Sequence, residues 1–505
     1  MIRTVSALLL VGSLVLGGCV TLQPEPASTT SSPATITTTT TPPTTTSVAE
    51  QPVTRLRVVD PAARPIPGAR VGDRGTTGID GYLELETPAG GFAVAADGYL
   101  ARLVPEWLPG DMEVVLEPII VAGVARSPAG ETLGGVAVTL DDRETITDES
   151  GRFEFIAAPA GTIRLYAPGL ARAEIEWAGH DTWVPVTLER LLVRALHVSG
   201  WAMGSPDRRQ HLLDLATATE INALVVDLKD ESGRVFYPST VPLAGRLGAV
   251  GNEYTLEEVV NTAADLHLYL IGRIVTFQDP IAGRAVPEMA VWDTTAGAPF
   301  ERKGQYFLDP TDPDARQYAL DLAVEACAAG FDEVQFDYVR YPAGFDSSAV
   351  FDGGADARQR PIVIRDFLAE ASALLHPAGC TVAADIFGFI TSTKGDGGIG
   401  QQLEELAGVV DVLSPMLYPS HYSEGWFGFD VPNDHPGPVV ARGLDDGINR
   451  LDSPVILRPW IQDFSYDAEQ VRAEIEAAEE RGLGWMLWNA ASRFTEDALL
   501  PATGE

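Results

Sequence analysis

The chain has 505 residues, 45% of them hydrophobic, and a formal net charge of −36 from 71 Asp and Glu against 35 Lys and Arg. That length exceeds one ordinary core and predicts two or three domains. The acidic balance argues against a nucleic-acid binder and against electrostatic docking to anionic lipid, both of which need clustered Lys and Arg, and reads most simply as a solubility device.

Residues 1–19 carry a basic start (Met1-Ile2-Arg3), an apolar run from Val5 to Leu16, and Gly17-Gly18-Cys19. This is the layout of a secretory signal peptide, too short to span a bilayer comfortably. Leu16-Gly17-Gly18-Cys19 resembles the bacterial lipobox, which implies a lipidated Cys19 and a protein anchored on the extracellular face of the cell envelope. An ordinary signal that happens to end in Cys is the alternative. Residues 20–52 are rich in Thr, Ser and Pro, with a Thr run at 37–41. They cannot bury an apolar face and are expected to form a disordered spacer.

Residues 53–190 contain a repeat of about 70 residues, expected as two all-β sandwich modules at 53–118 and 119–190. Gly68-Ala69-Arg70-Val71 matches Gly135-Val136-Ala137-Val138, and the segment Thr77 to Leu83 matches Thr147 to Phe153. Short alternating runs such as Tyr82-Leu83-Glu84-Leu85 and Arg152-Phe153-Glu154-Phe155 are punctuated by Gly, Pro and Asp, as in small antiparallel sandwiches. The Thr-x-x-x-Gly-x-aromatic/Leu element resembles the carboxypeptidase regulatory-like (transthyretin-like) sandwich, in which a turn Gly takes an unusual backbone angle. The modules carry no catalytic cluster, so they read as spacers, with carbohydrate-binding modules as the alternative.

From residue 191 to 505 the pattern changes to α/β. Apolar strands are expected at 192–198, 223–228, 268–276, 333–340, 381–387, 412–417, 455–461 and 484–488, with helices at 315–329, 362–375 and 468–481. Eight near-continuous apolar runs fit a closed (β/α)8 TIM barrel. A doubly wound sheet is the competitor, but no Gly-x-Gly-x-x-Gly follows the first strand. Of the remaining cysteines, Cys327 and Cys380 match no metal spacing; a disulfide and two buried thiols are both open.

In such a barrel, function sits where strands end. Polar and aromatic residues gather there: Trp201 after the first strand; Asp227, Lys229 and Asp230 at the second; Arg273 at the third; Asp337 and Arg340 at the fourth; Asp385 at the fifth; Tyr418 and His421 at the sixth; Trp460 and Asp463 at the seventh; Trp488 and Asn489 at the eighth. Aromatic faces stack on the C–H faces of sugars, and paired carboxylates supply a nucleophile or base and a general acid for glycosidic bonds. About half of the charged residues are expected instead to be salt-bridge partners of Arg273, Arg340 and Arg458. No His pair or calcium loop is visible, so neither a metal nor a cofactor is expected.

The segments Val198-Ser199-Gly200-Trp201, 222–237, 272–280, 330–342, 384–388, 414–422 and 485–489 resemble a glycoside hydrolase-like family of bacterial and archaeal TIM-barrel proteins, over nearly all of 192–495. The resemblance implies a carbohydrate substrate without naming it. The position of an aromatic common in the family's first strand is held by His197. Strand-end placement is also similar to the alpha-amylase superfamily, which implies Asp337 as nucleophile, Asp385 as acid/base and Asp463 as stabiliser. The acid is usually Glu there, so Asp385 is a departure. On this reading Arg340 keeps Asp337 ionised, Asp385 needs a raised pKa, and Asp227 and Asp230 are reserve acids. The remaining residues are expected to contact sugar. The opposing reading is a non-catalytic carbohydrate-binding or envelope-tethering lipoprotein; deacetylase or lyase chemistry is a third.

Overall fold

The computed structural model describes residues 53–180 and 183–502; the signal, Cys19 and the Thr-rich segment lie outside them. Two small β-rich units come first. In one, Val53–Val59 pairs antiparallel with Tyr82–Glu86 and parallel with Gly110–Val115. In the next, Ile120–Arg126 pairs antiparallel with Arg152–Ile156 and parallel with Trp183–Thr187. Each has a second small sheet and its own apolar core, consistent with sandwich modules. The repeat extends to single atoms. Thr77 donates its hydroxyl to the Ile66 carbonyl (2.7 Å) and accepts from the Ala69 amide (2.9 Å). Thr147 does the same with Leu133 (2.7 Å) and Val136 (2.9 Å). The turn glycines Gly81 and Gly151 have φ of +76° and +73°, and a Cβ at either would sit under 3 Å from a backbone carbonyl oxygen.

The C-terminal region is a closed barrel of eight parallel strands: Arg194–Val198, Ala223–Lys229, Tyr269–Val275, Glu333–Asp337, Thr381–Phe387, Val412–Met416, Ile456–Leu457 with Trp460–Gln462, and Trp485–Trp488. The last pairs with the first and closes the ring. Strand seven, expected as one run, is split, because Pro459 has no N–H to offer the ladder. Strand four ends at Asp337 rather than 340, because Tyr338 turns the chain out of the sheet with φ +48°. Helices pack outside. Pro313–Ala329 starts where the Asp312 carboxylate accepts from the Ala315 amide at 2.8 Å, and ends at left-handed Gly330.

Cys327 and Cys380 form a disulfide with a sequence separation of 53, which settles the pairing that the spacing left open. Closing a loop of that length contributes about 4 kcal/mol on the chain-entropy account. The second β unit docks on the amino-terminal mouth of the barrel: Arg172 pairs with Asp332 at 2.9 Å, Tyr166 bonds Thr381, and Arg190 donates to the Gly482 carbonyl at 2.9 Å. That leaves the carboxyl-terminal rim as the barrel's open end.

Candidate active site

Side chains alternate along a strand, so residues two apart share a face. Asp227 follows Val225 and Ala223, Arg273 follows Ile271, and Asp337 follows Gln335 and Glu333. The lower residues fill the barrel and the last of each series reaches the rim. Near the floor, Arg458 donates to Glu333 at 3.1 Å and Gln335 to Ser414 at 3.0 Å. Above them the charged groups converge on Arg273, which is 1% exposed. Its guanidinium donates to Asp227 Oδ1 at 2.6 Å, to Glu231 Oε1 at 2.5 Å, and to Asp337 Oδ2 at 2.5 Å and 3.0 Å. Burial disfavours its charge, but Glu231, Asp337 and Asp227 overcome that and hold its pKa well above the usual value.

Asp227 sits behind the cation, with Oδ2 3.1 Å from His197 Nε2. Burial pushes its pKa up, and His197 and Arg273 more than reverse the shift, leaving it lowered. The His197 ring stacks on Trp488 at 4.1 Å. Asp337 Oδ1 accepts from the Tyr338 amide at 2.6 Å. The left-handed backbone of Tyr338, costly for a non-glycine residue, thus comes immediately after the central carboxylate.

Asp385 is Asp337's neighbour. The register aligns Phe336 with Ala384, so the two carboxylates stand side by side on adjacent strands, Asp337 at the end of its strand and Asp385 two residues before the end of its own. Asp385 is fully buried; its Oδ1 accepts from the Trp460 indole at 2.8 Å and its Oδ2 has no partner. Burial and the Asp337 charge raise its pKa well above the ordinary carboxylate range, against the opposing pull of Arg273 and Trp460. Burial raises Glu474 likewise. The folded chain therefore retains protons that the unfolded chain releases above about pH 4, and each retained proton makes stability fall by about 1.4 kcal/mol per pH unit until the folded pKa is passed. Asp385→Asn is expected to flatten this slope between pH 5 and pH 8 in denaturant titrations. Identical slopes in both proteins would mean that Asp385 is ionised in the fold.

A cavity of about 820 Å³ opens above this network. Of the residues expected at the site, Arg273, Asp337, Arg340, Tyr418, His421, Trp460 and Trp488 line it. The others do not. Asp385 and Asp227 lie beneath or behind the lining. Lys229 is 1% exposed and paired with Asp279 at 3.0 Å, because a register shift between Asp227 and Lys229 breaks the alternation that would have turned it inward. Asp230 caps its own turn through Ser232. Asp463 accepts from the Thr495 hydroxyl (2.6 Å) and amide (3.0 Å), anchoring the C-terminal segment, and Asn489 binds the Asp463 carbonyl at 2.5 Å. Trp201 is 57% exposed, with the Arg234 guanidinium over its ring.

One expected pairing is replaced. Asp337 is held by Arg273 and not by Arg340, which lies between the Tyr338 and Phe387 rings. Sequence reasoning also missed Glu231, a lining carboxylate that is one-third exposed. Its signal was present in Lys229-Asp230-Glu231-Ser232-Gly233: the acid stands in the turn directly after a barrel strand.

Solved structures similar to part of the chain include the following three. A hypothetical protein from Ruminiclostridium thermocellum ATCC 27405 is 39% identical, over 38% of this chain and 96% of that one, with a TM-score of 0.35. The glycoside hydrolase domain of PgaB (BpsB) from Bordetella bronchiseptica is 15% identical over 60% and 95%, with a TM-score of 0.46. The glycoside hydrolase domain of PelA from Pseudomonas aeruginosa is 10% identical over 60% and 96%, with a TM-score of 0.36. No curated protein matches the chain. The model of the family described as "Putative glycosyl hydrolase domain" matches residues 195–494, nearly the whole barrel, and the chain belongs to that family.

Proposed function

We propose that the barrel hydrolyses glycosidic bonds of a polysaccharide or cell-envelope glycan, with Asp337 as the attacking carboxylate. The observation that carries this is the shared cation. Asp337 and Glu231 each place an oxygen 2.5 Å from the same Arg273 nitrogen, so those oxygens are at most about 5 Å apart. So short a gap is nearer to the roughly 5–5.5 Å between the carboxyl groups of retaining pairs than to the roughly 6.5–9.5 Å that leaves room for an inverting water.

Glu231 is the more exposed arm of the network, and its contact with Arg273 is the one an entering sugar can open. Once released it is the carboxyl suited to hold the leaving group's proton, since two anions so close repel. Buried Asp385 supports Asp337 without adding a second negative charge. Tyr418, Trp460 and Trp488 give the cavity aromatic surface for sugar rings.

One observation favours a second reading. Arg273 engages all three carboxylates in the resting site, as it would in a barrel that binds glycan without turnover. Reducing-end release from a glycan panel by the full chain, with Asp337→Asn as control, separates the two. Binding of a glycan with no release by the wild type would leave only the binder.

The signal-like start and the Leu16-Gly17-Gly18-Cys19 motif support a substrate outside the cell. Cys19→Ser is expected to move the protein from the membrane fraction into the medium. Unchanged membrane retention would refute lipid anchoring at that residue.

A further inference from the structure

The positive charges of the cavity divide into two kinds. Arg273 is saturated by three carboxylates. Arg340 is 8% exposed, lines the cavity, and makes no ion pair among the described residues. The one hydrogen bond its guanidinium makes among the described residues runs from Nη1 to the neighbouring Tyr341 carbonyl at 3.1 Å. The guanidinium carbon lies 4.9 Å from the Tyr338 ring centre and 4.8 Å from that of Phe387, so aromatic rings hold the group in place. A guanidinium carries five N–H donors, and most of these have no protein acceptor. None of its nitrogens is both sealed from solvent and unbonded, so the unused donors are reachable from the cavity. Burial with no dedicated counter-ion lowers its pKa, against the partial support of Tyr338 and Asp337. The Asp337 charge is already committed to Arg273. Lys394, from the loop after the fifth strand, is exposed, has no ion pair among the described residues and lines the same cavity.

A buried cation without a counter-ion is expensive unless a ligand supplies one. From this we infer that the Arg340 and Lys394 side of the cavity is a subsite for an anionic sugar residue, one whose ring carries a carboxylate or a sulfate ester. The assignment rests on the glycan-binding reading of this cavity and narrows its substrate class. The planar guanidinium fork matches two oxygens of an oxyanion at once, and the lysine adds a mobile point charge. The acidic surface of the whole chain does not contradict this. At about 0.15 M ionic strength charges are screened beyond about 8 Å, so a bound sugar is governed by the groups that line the cavity.

The test is calorimetric binding of the full-length chain at that ionic strength. The ligands are oligomannuronate, oligogalacturonate and oligoglucuronate, each beside its carboxyl-reduced neutral counterpart and beside a sulfated form of that counterpart. At least one anionic oligosaccharide is expected to bind about tenfold or more tightly than its neutral counterpart, and Arg340→Gln and Lys394→Gln should each shrink that ratio, the arginine variant by about tenfold to a hundredfold. Preference for the uronate or the sulfated form identifies the source of the charge. Arg340→Lys, which keeps the charge and loses the fork, should fall between wild type and Arg340→Gln. If Arg340→Gln does not fold, the wild-type ratio and the exposed Lys394→Gln variant still decide. Neutral counterparts binding as well as every anionic form, or a ratio untouched by the variants that fold, would overturn the assignment. Cleavage is scored separately. Turnover of a neutral glycan with indifference to anionic ones overturns the subsite and leaves hydrolysis standing, whereas selective binding of an anionic glycan without turnover does the reverse.

Discussion

Asp337→Asn is expected to lower turnover by about 10⁴-fold on any glycan the wild type cleaves, the scale of loss when a covalent or acid–base group is removed from a cooperative site. Both oxygens of Asp337 accept, Oδ1 from the Tyr338 amide and Oδ2 from Arg273. An asparagine satisfies only one of these donors and turns its own N–H2 toward the other. The variant is therefore expected to lose about 1–3 kcal/mol of stability as well as its charge. The decisive measurement is the ratio of lost turnover to lost binding at a temperature where the variant remains folded. The attacking role predicts a collapse of kcat with glycan binding kept to within a few fold. Turnover within tenfold of wild type would remove Asp337 from the chemistry and leave Glu231 to be tested in its place.

What the sequence revealed, and what it hid, follows from the physics of strands. Period-two alternation and near-continuous apolar runs made the barrel legible, and alternation brought Asp227, Arg273, Asp337 and Asp385 to one rim. It failed where the backbone departs from regularity. The register shift after Asp227 sent Lys229 into a buried pair with Asp279. The left-handed Tyr338 ended strand four early and carried Arg340 away from Asp337. Neither departure leaves a trace in composition, since no glycine or proline marks either point. Asp463 was misleading for another reason: a strand-end carboxylate looks the same in sequence whether it faces a sugar or caps a chain segment, and only the Thr495 contacts separate the two. Glu231 was hidden beside Asp230: two acids stand next to each other in one turn, and only the contact with Arg273 shows which of them faces the site. The small β units were legible as a repeat because the same threonine hydroxyl closes the same loop twice.

Arg273→Met should produce the largest loss of stability, about 3–5 kcal/mol at neutral pH, the usual cost of removing one partner from a buried ion network. The physical reason is the count of charges left behind. Asp227, Glu231 and Asp337 now share one buried cation, and without it they face one another with His197 near Asp227 and the more distant charge of Arg340 near Asp337 as partial relief. The sign of the pH dependence distinguishes this from a simple packing defect. In the wild type the lowered pKa of Asp227 contributes stability above about pH 4 that is lost as pH falls through its folded value. In the variant the stranded carboxylates hold protons in the fold, so their contribution is lost as pH rises instead. The stability gap between the two proteins should therefore be widest near pH 8 and close toward pH 4, as read from denaturant midpoints. A cavity left by a missing side chain would cost the same at both ends of that range. A gap independent of pH would mean that Arg273 packs the barrel without neutralising it. In that case the carboxylates around it would not form the electrostatic unit on which the assignment of Asp337 depends.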